Sequence, residues 1–252
     1  MILEAVQYAA TLAVTPAEFR PFIRSSVNLW SRANRCAGAW TPHEENCKAF
    51  IREEIAGMKE RRTAVVLGSG LLRDVPIVEL ANAFDTVVLI DLVHLASVRA
   101  WIRAKRLSNI RLISRDLSGL PDAIAGRVPE PLAFLRQVPY LDLVVSANIL
   151  SQIGVGCRRR LAESGNADAD ALVRRLVEAH LDGLSGLPCR AALLTDIAYR
   201  VTDRGGTLLE EADLLCGVPA PTAGRQWQWP VAPFGELDPA YKAVHQVMAI
   251  RL

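Results

Sequence analysis

The amino-acid sequence predicts an α/β protein with an open, mostly parallel sheet, an antiparallel last strand and an N-terminal helical segment. Three observations support this fold class. Short apolar runs alternate with helical segments from Thr63 onward, a glycine turn follows the first run, and a carboxylate ends the second. We therefore expect residues 1–60 to form a helical cap and residues 61–252 to form the sheet domain.

Two Thr-Pro pairs mark helix starts in the N-terminal segment. Thr15 is a candidate N-cap with Pro16 as the first helical residue, and Pro21 is expected to bend the helix that follows. Thr41 and Pro42 repeat the signal after a break in the helical pattern. These signals predict helices over residues 4–13, 16–35 and 42–59.

Five short runs after this segment are apolar on both faces, as expected for parallel strands covered by helices on two sides. The predicted strands are Ala64–Leu67, Val87–Ile90, Ile110–Ile113, Leu143–Ser146 and Ala191–Thr195. The predicted helices are Ile77–Ala83, Leu95–Lys105, Leu132–Arg136 and Asp168–Leu184. In the tail, Arg225–Trp229 and His245–Leu252 read as strands joined mainly by loop, which favours an antiparallel ending.

Composition narrows the classes of function. The formal net charge is +2, and no basic groove with interleaved aromatic residues indicates a nucleic-acid partner. The five cysteines and four histidines are scattered without a CxxC pair, so we expect no metal site and no disulfide framework. No run reaches the roughly 18 apolar residues that span a bilayer. We expect a cytoplasmic protein without a membrane span, and the sequence leaves its oligomeric state open.

The stretch Thr63–Asp91 has the order of a β-α-β unit equipped to hold a nucleoside. Gly68, Ser69 and Gly70 form a turn after the first strand, where the absence of a Cβ permits close approach of a ligand. A plain structural turn is the alternative reading. Asp91 ends the second strand, where a carboxylate can accept both hydroxyls of a ribose or can cap the next helix.

Two ligand classes use such a unit, namely dinucleotides and S-adenosylmethionine. The dinucleotide fingerprint places a third glycine three residues after the second, for close packing of helix on strand. Arg73 stands at that position here, and its long charged side chain is a poor fit. The tail also lacks the further β-α units of a doubly wound dinucleotide domain.

Four segments in order, VVLGSG, VVLID, SRDLSGL and LDLVVSANILSQI, resemble motifs of the class I S-adenosylmethionine-dependent methyltransferases. The resemblance covers roughly residues 63–252. It implies a Rossmann-like sheet with a reversed last strand, and S-adenosylmethionine as the cofactor. The cofactor contacts that it implies are Gly68, Ser69, Gly70, Asp91, Leu92, Asp116, Leu117 and Asn148.

The first motif departs from the family pattern. Val66 stands where an acidic residue often precedes the first glycine by two places, and Leu72 replaces the third glycine. Asp74 is our candidate for the missing carboxylate that holds the cofactor's amino group. The Asn-Pro-Pro-Tyr signature of methyltransferases acting on DNA adenine and on glutamine is absent, which argues against those substrates.

The segment around residues 29–45 supplies candidate acceptor-binding residues. Trp30, Arg35 and Trp40 are predicted to wall the acceptor pocket, and His43 is a candidate general base. The alternative is a helix pair that packs its tryptophans on the core. Helices before the first strand often form a lid in the resembling family.

Three further residues follow predicted strands at the edge where open sheets bind ligands. Gln152 and Asp196 are assigned to the acceptor, and Tyr199 is a second candidate catalytic residue. The sequence thus predicts transfer of a methyl group to a small molecule or peptide. Transfer of the aminobutyrate arm of the same cofactor, as in nicotianamine synthase-like enzymes, and a non-catalytic binding protein of this fold are the alternatives.

Overall fold

The structure is a computed structural model that describes residues 2–222 and 224–252. Its strands are Thr63–Leu67 (β1), Thr86–Asp91 (β2), Ile110–Ser114 (β3), Leu141–Ala147 (β4), Arg190–Asp203 (β5), Leu208–Asp213 (β6), Arg225–Ala232 (β7) and Tyr241–Arg251 (β8). Its α-helices are Ile2–Val14 (α1), Ile23–Arg35 (α2), Ala37–Ala56 (α3), Ile77–Ala83 (α4), Ala96–Ala104 (α5), Leu120–Ile124 (α6), Leu150–Glu163 (α7) and Ala169–Ser185 (α8). Two short 3₁₀ helices cover Ala17–Phe22 and Ala133–Gln137.

All eight strands of the described chain join one sheet in the order β3-β2-β1-β4-β5-β8-β7, with β6 paired to β5. Strands β1 to β5 run parallel to one another, whereas β8 is antiparallel to both β5 and β7. This is the Rossmann-like open sheet with a reversed last strand that the sequence predicts. The order reverses between β1 and β4, so a crevice opens at their carboxyl ends.

The two faces of the sheet bury separate hydrophobic clusters because side chains alternate along each strand. Ala64 and Val66 of β1 share one cluster with the N-terminal helices, including Ile23 and Ile51. Val65 and Leu67 join the opposite cluster under α8. The N-terminal segment therefore packs directly on the sheet. Among the described residues, no helix is both long enough and apolar enough to cross a bilayer.

The predicted helix starts at the two Thr-Pro pairs are wrong. The hydroxyls of Thr15 and Thr41 donate backward, to the carbonyls of Thr11 at 2.7 Å and Ala37 at 2.8 Å, and neither caps a helix. Residues 17–22 are a 3₁₀ helix, and α3 begins at Ala37 and runs through Pro42. The lost hydrogen bond at Pro42 is outweighed because the same helix buries Trp40 and later apolar residues.

The prediction missed three elements, α6, α7 and β6, and cut short the strands β5, β7 and β8. Helix α7 contains Gly154 and Gly156, which weaken a helical pattern. A Cβ on Gly154 would lie 3.0 Å from the sulfur of Cys216, so close packing explains that glycine. Strand β5 continues from the predicted end at Thr195 to Asp203, and β6 pairs with this extension. The extension alternates polar and apolar residues, unlike the buried runs.

A buried histidine links α8 to the sheet. The ring of His180 is fully buried, and its Nε2 lies 3.0 Å from Oγ of Ser146 on β4. Its Nδ1 has no hydrogen-bond partner in the described chain. Burial lowers the pKa of His180 from 6.5 to about 4, because a charged ring would lose its hydration there. The native state therefore holds this histidine neutral.

We predict that the protein loses stability as the pH falls from about 6.5 toward about 4. His180, and His43 whose pKa burial also lowers to about 4, bind protons in the unfolded chain before they do so in the folded one. Each contributes a slope of up to about 1.4 kcal/mol per pH unit in that window. Urea denaturation at several pH values measures the slope, and His180→Gln should make it shallower. An unchanged slope in the variant would contradict the assignment.

Candidate functional site

Contacts within the protein fix the conformation of the glycine turn after β1. Gly68 has φ +75°, and a Cβ there would lie 2.8 Å from the carbonyl oxygen of Ala147 and 2.7 Å from Cβ of Ile149. At Gly70, with φ +46°, the nearest atom to a Cβ is 3.8 Å away. Gly68 is thus required by packing against the loop after β4. Only Gly70 leaves the open approach that the sequence analysis assigned to both glycines. Helix α4 begins at Ile77, so its N–H groups do not belong to this turn.

Asp91 joins the turn to the end of β2. Its two carboxylate oxygens accept the backbone N–H groups of Gly70 and Leu92, each at 2.7 Å. Burial raises the pKa of the Asp91 carboxyl, against the lowering effects of His94 and of the backbone N–H groups. Each oxygen keeps a lone pair beyond these bonds, so the carboxylate can still accept ligand hydroxyls.

Two cavities meet at the carboxyl ends of β1 and β4. The first, which we call the Asp91 cavity, has about 180 Å³. The second, the Asn148 cavity, has about 80 Å³. Gly68 and Gln152 line both, so the two cavities adjoin at these residues. A ligand with two dissimilar ends can therefore lie across the glycine turn.

The Asp91 cavity brings together most of the predicted nucleoside contacts. Its lining includes Gly68, Asp91, Leu92, Asp116 and Leu117 from the sheet side. The N-terminal segment adds Phe22 and Ser25, and α7 adds Gln152 and Ile153. Asp116 accepts the N–H of Ser118 at 2.8 Å through one oxygen and keeps the other. Asp116 therefore closes a turn with Ser118 and also lines the cavity.

The Asn148 cavity contains a strained polar residue. Asn148 follows β4 with φ +52°, and its side-chain N–H₂ donates to Asp74 at 2.6 Å. Gln152 in turn donates to the Asn148 carbonyl at 2.8 Å. Burial raises the pKa of the Asp74 carboxyl. Such strain persists where the surroundings fix the backbone, and it is frequent at ligand sites.

Five buried polar atoms without a hydrogen-bond partner in the described chain lie at this end of the sheet. An unpaired buried polar group costs about 1–3 kcal/mol, which a bound ligand or water can recover. The five atoms are Ser69 Oγ, Asn148 Oδ1, Asp196 Oδ1, Trp229 Nε1 and His245 Nδ1. Two of these residues, Asn148 and Trp229, line the Asn148 cavity, which therefore offers an unpaired acceptor and an unpaired donor to a ligand that carries both kinds of group, as S-adenosylmethionine does.

An aromatic wall closes the Asn148 cavity. His43 stacks on Trp229 with ring centroids 4.1 Å apart, and Trp40 meets Trp229 edge-on at 5.0 Å. The indole N–H of Trp227 donates to Nδ1 of His43 at 3.1 Å. Burial lowers the pKa of His43 to about 4. The neutral ring then carries its proton on Nε2, because Nδ1 acts as the acceptor.

His43, Cys47 and Asp74 bring potential metal ligands within 4.8 Å of one another. The sequence analysis expected no metal site, and the cysteine four residues after His43 is the signal that it passed over. In the structure these groups bond elsewhere: His43 accepts from Trp227, and Asp74 accepts from Asn148. Burial raises the pKa of the Cys47 thiol, which favours the neutral form over a metal-binding thiolate.

The structure separates the predicted acceptor residues into two groups. Trp40, His43 and Gln152 line the Asn148 cavity. Trp30, Arg35 and Tyr199 line neither cavity: Trp30 borders a separate cavity of about 340 Å³, Arg35 pairs with Glu236 at 2.6 Å, and Tyr199 packs edge-on to His245. Asp196 is buried, and its Oδ2 accepts the hydroxyl of Ser151 at 3.1 Å.

Sequence reasoning missed His245 and the tryptophans of β7 as candidate site residues. Trp229 lines the Asn148 cavity, and Trp227 donates to His43. The alternation in RQWQW carried the signal, because residues two apart on a strand share a face, and both tryptophans meet His43 of α3.

The strand order, with its antiparallel β8, agrees with the Rossmann-like sheet that the sequence resemblance implied. No protein-family model and no curated protein sequence matches the chain. Among solved structures, a DhpI-SAM-HEP complex is 14% identical over 87% of this chain and 94% of its own, with a TM-score of 0.41. The N-methyltransferase NodS from Bradyrhizobium japonicum WM9, in complex with S-adenosyl-L-homocysteine, is 14% identical over 82% and 85%, with a TM-score of 0.39. The glycopeptide N-methyltransferase MtfA, complexed with S-adenosyl-L-methionine, is 12% identical over 79% and 92%, with a TM-score of 0.32. TM-scores below 0.5 do not support an inference about cofactor or activity, so that inference depends on the residues of this chain.

We predict that Gly68→Ala is more destabilising than Gly126→Ala. Both glycines have similar φ angles, +75° and +72°, so both variants bear the strain of a left-handed alanine, about 1–2 kcal/mol. Only at Gly68 does the new Cβ also press on backbone, which adds about 1–3 kcal/mol; at Gly126 no atom lies within 4 Å. Urea denaturation of the two variants measures the difference. Equal losses would show that the turn is not packed as described.

Proposed function

We propose that this protein is a methyltransferase that binds S-adenosylmethionine and methylates a small molecule or peptide. The observation that supports this most is the meeting of two cavities over the glycine turn. One contains the Asp91 carboxylate, and the other contains the unpartnered Oδ1 of Asn148. The first suits a nucleoside, and the second suits the amino-acid end of the cofactor.

Each end of the cofactor has candidate partners. Asp91 would accept the ribose hydroxyls through the lone pairs that Gly70 and Leu92 leave free. Leu117 offers an apolar face for the adenine, and Asp116 an acceptor oxygen. In the Asn148 cavity, Oδ1 of Asn148 and the carboxylate of Asp74 would accept hydrogen bonds from the amino group of the cofactor.

When bound, the cofactor supplies a methyl group activated on a sulfonium, so the protein mainly aligns the acceptor and excludes water. We propose that residues 1–60 are the cap that does this, because Phe22, Ser25, Trp40 and His43 wall the two cavities. Both cavities are smaller than the roughly 300–1,000 Å³ typical of ligand pockets. This wall would therefore move outward as the cofactor enters.

The test of this proposal is calorimetry with S-adenosylmethionine, followed by identification of the product. Binding together with formation of S-adenosylhomocysteine supports methyl transfer. Formation of methylthioadenosine would instead indicate transfer of the aminobutyrate arm. No heat of binding at millimolar cofactor would refute the proposed function.

Asp91→Asn should weaken the binding of S-adenosylmethionine and of adenosine by about ten- to a hundredfold. The variant loses the charge behind the hydrogen bonds to the ribose, which are worth about 1.5–3 kcal/mol. Asp85→Asn is the matched control, because Asp85 is an exposed residue just before the same strand. Calorimetry measures both ligands, and equal affinities in the two variants would refute the ribose contact.

Asp74→Ala should separate the two ends of the ligand. We expect weaker binding of S-adenosylmethionine, by about tenfold, with the affinity for adenosine unchanged, because Asp74 lines only the Asn148 cavity. The same calorimetric series gives the answer. An equal loss for both ligands would place Asp74 in a structural role instead.

A further inference from the structure

A carboxylate–histidine pair lies at the carboxyl end of the parallel part of β5. Asp196 is 4% exposed, and Nδ1 of His245, on β8, lies 3.1 Å from its Oδ2. The angle is not that of a hydrogen bond, and both His245 Nδ1 and Asp196 Oδ1 are without hydrogen-bond partners in the described chain. Catalytic hydrogen bonds are often misaligned before ligands bind.

The pair borders the aromatic wall of the Asn148 cavity. His245 meets Trp229 edge-on at 5.5 Å, and Trp229 lines that cavity. Ser151, which donates to Asp196, precedes the cavity residue Gln152 on α7. One side chain, that of Trp229, therefore separates the pair from the Asn148 cavity.

The two nitrogens of His245 differ in their surroundings. Nδ1 is buried against Asp196, while the side chain as a whole is 18% exposed. Nε2 has no hydrogen-bond partner and is not among the buried atoms, so the open edge of the ring carries Nε2. A carboxylate at Nδ1 favours the tautomer with its proton on Nδ1 and a bare lone pair on Nε2.

His43, the base candidate of the sequence analysis, has the opposite arrangement. Its Nδ1 accepts the N–H of Trp227, which leaves the proton on Nε2 and no free lone pair. Its ring is 2% exposed and is stacked on Trp229. His43 lines the Asn148 cavity but has no free nitrogen lone pair, whereas His245 offers the bare Nε2 that a general base requires.

We propose that His245 is the general base of the methyl transfer and that Asp196 is its positioning residue. The acceptor is accordingly one whose attacking atom carries a hydrogen, such as a hydroxyl group or an amine. This inference rests on the proposed function. It adds to it a base that the sequence analysis did not name.

The proton and electron balance of the step is complete without another reactant. The lone pair of the acceptor atom forms a bond to the methyl carbon, and the carbon–sulfur bond breaks with its electron pair remaining on sulfur. The acceptor's proton passes to Nε2 of His245. The imidazolium that results is stabilised by the carboxylate of Asp196 at 3.1 Å.

Groups from three elements of the fold pack around His245 and Asp196. Strand β5 presents Asp196 and Tyr199, α7 presents Ser151 behind Asp196, and α3 presents His43, which feels both Asp196 and His245. Burial raises the pKa of Tyr199, so it stays neutral near pH 7. Asp196 is therefore the carboxylate that decides which nitrogen of His245 carries the proton.

Nuclear magnetic resonance of the ¹⁵N-labelled whole chain tests the proposal. His245→Gln assigns the imidazole signals, which are then titrated in the wild type, in Asp196→Asn and in Asp203→Asn. The last is the matched control, because Asp203 lies on the same strand in an exposed turn. Addition of S-adenosylhomocysteine to the wild type, and calorimetry of each variant with S-adenosylmethionine, complete the set.

We expect the wild type to show the proton of neutral His245 on Nδ1, and Asp196→Asn to increase the share of the tautomer with the proton on Nε2, with Asp203→Asn without effect. The wild-type tautomer decides the case even if Asp196→Asn fails to fold. A proton on Nε2 in the wild type, or an unchanged tautomer ratio in a folded Asp196→Asn, overturns the proposal. Failure of the wild type to bind S-adenosylmethionine refutes the proposed function instead, and the tautomer distinguishes the two failures.

Discussion

The carboxylate of Asp91 ties the glycine turn to the end of the neighbouring strand, and the site above the sheet depends on that tie. Its two oxygens hold the N–H groups of Gly70 and Leu92, while Gly68 presses against the loop that follows β4. These contacts fix three strand ends relative to one another. Beside them, Asn148 has a strained backbone, and its Oδ1 has no hydrogen-bond partner among the described residues. The unmet polar atoms are the physical argument for a ligand at this place.

Much of the sheet was predictable because its central strands β1 and β4 are buried on both faces and so read as continuous apolar runs. Strands β1 to β4 and helix α4 begin and end within a few residues of the prediction. The errors arose where tertiary packing overrides local signals. Helix α3 continues through Pro42 because its buried side chains pack on the core. The far half of β5 depends on pairing with β6 and β8.

The candidate site was predictable where one β-α-β unit supplies it and not where distant elements meet. The glycine turn and Asp91 lie within one motif, and the structure brings them together at one cavity. The aromatic wall and the pair of Asp196 with His245 join α3, β5, β7 and β8, which are far apart in sequence. Contacts between such distant elements leave no local sequence pattern. The hydrogen bond from Trp227 to His43 is one of them and could not be predicted from the residues around His43.

A crystal structure of the protein grown with S-adenosylhomocysteine tests the central claim most directly. The account predicts the ribose on Asp91, the adenine beside Leu117, and the homocysteine amino group near Asn148. The ligand should extend from one cavity into the other beside Gly68 and Gln152. A ligand bound elsewhere, or none at saturating concentration with Asp91 still turned only to Gly70 and Leu92, would contradict it.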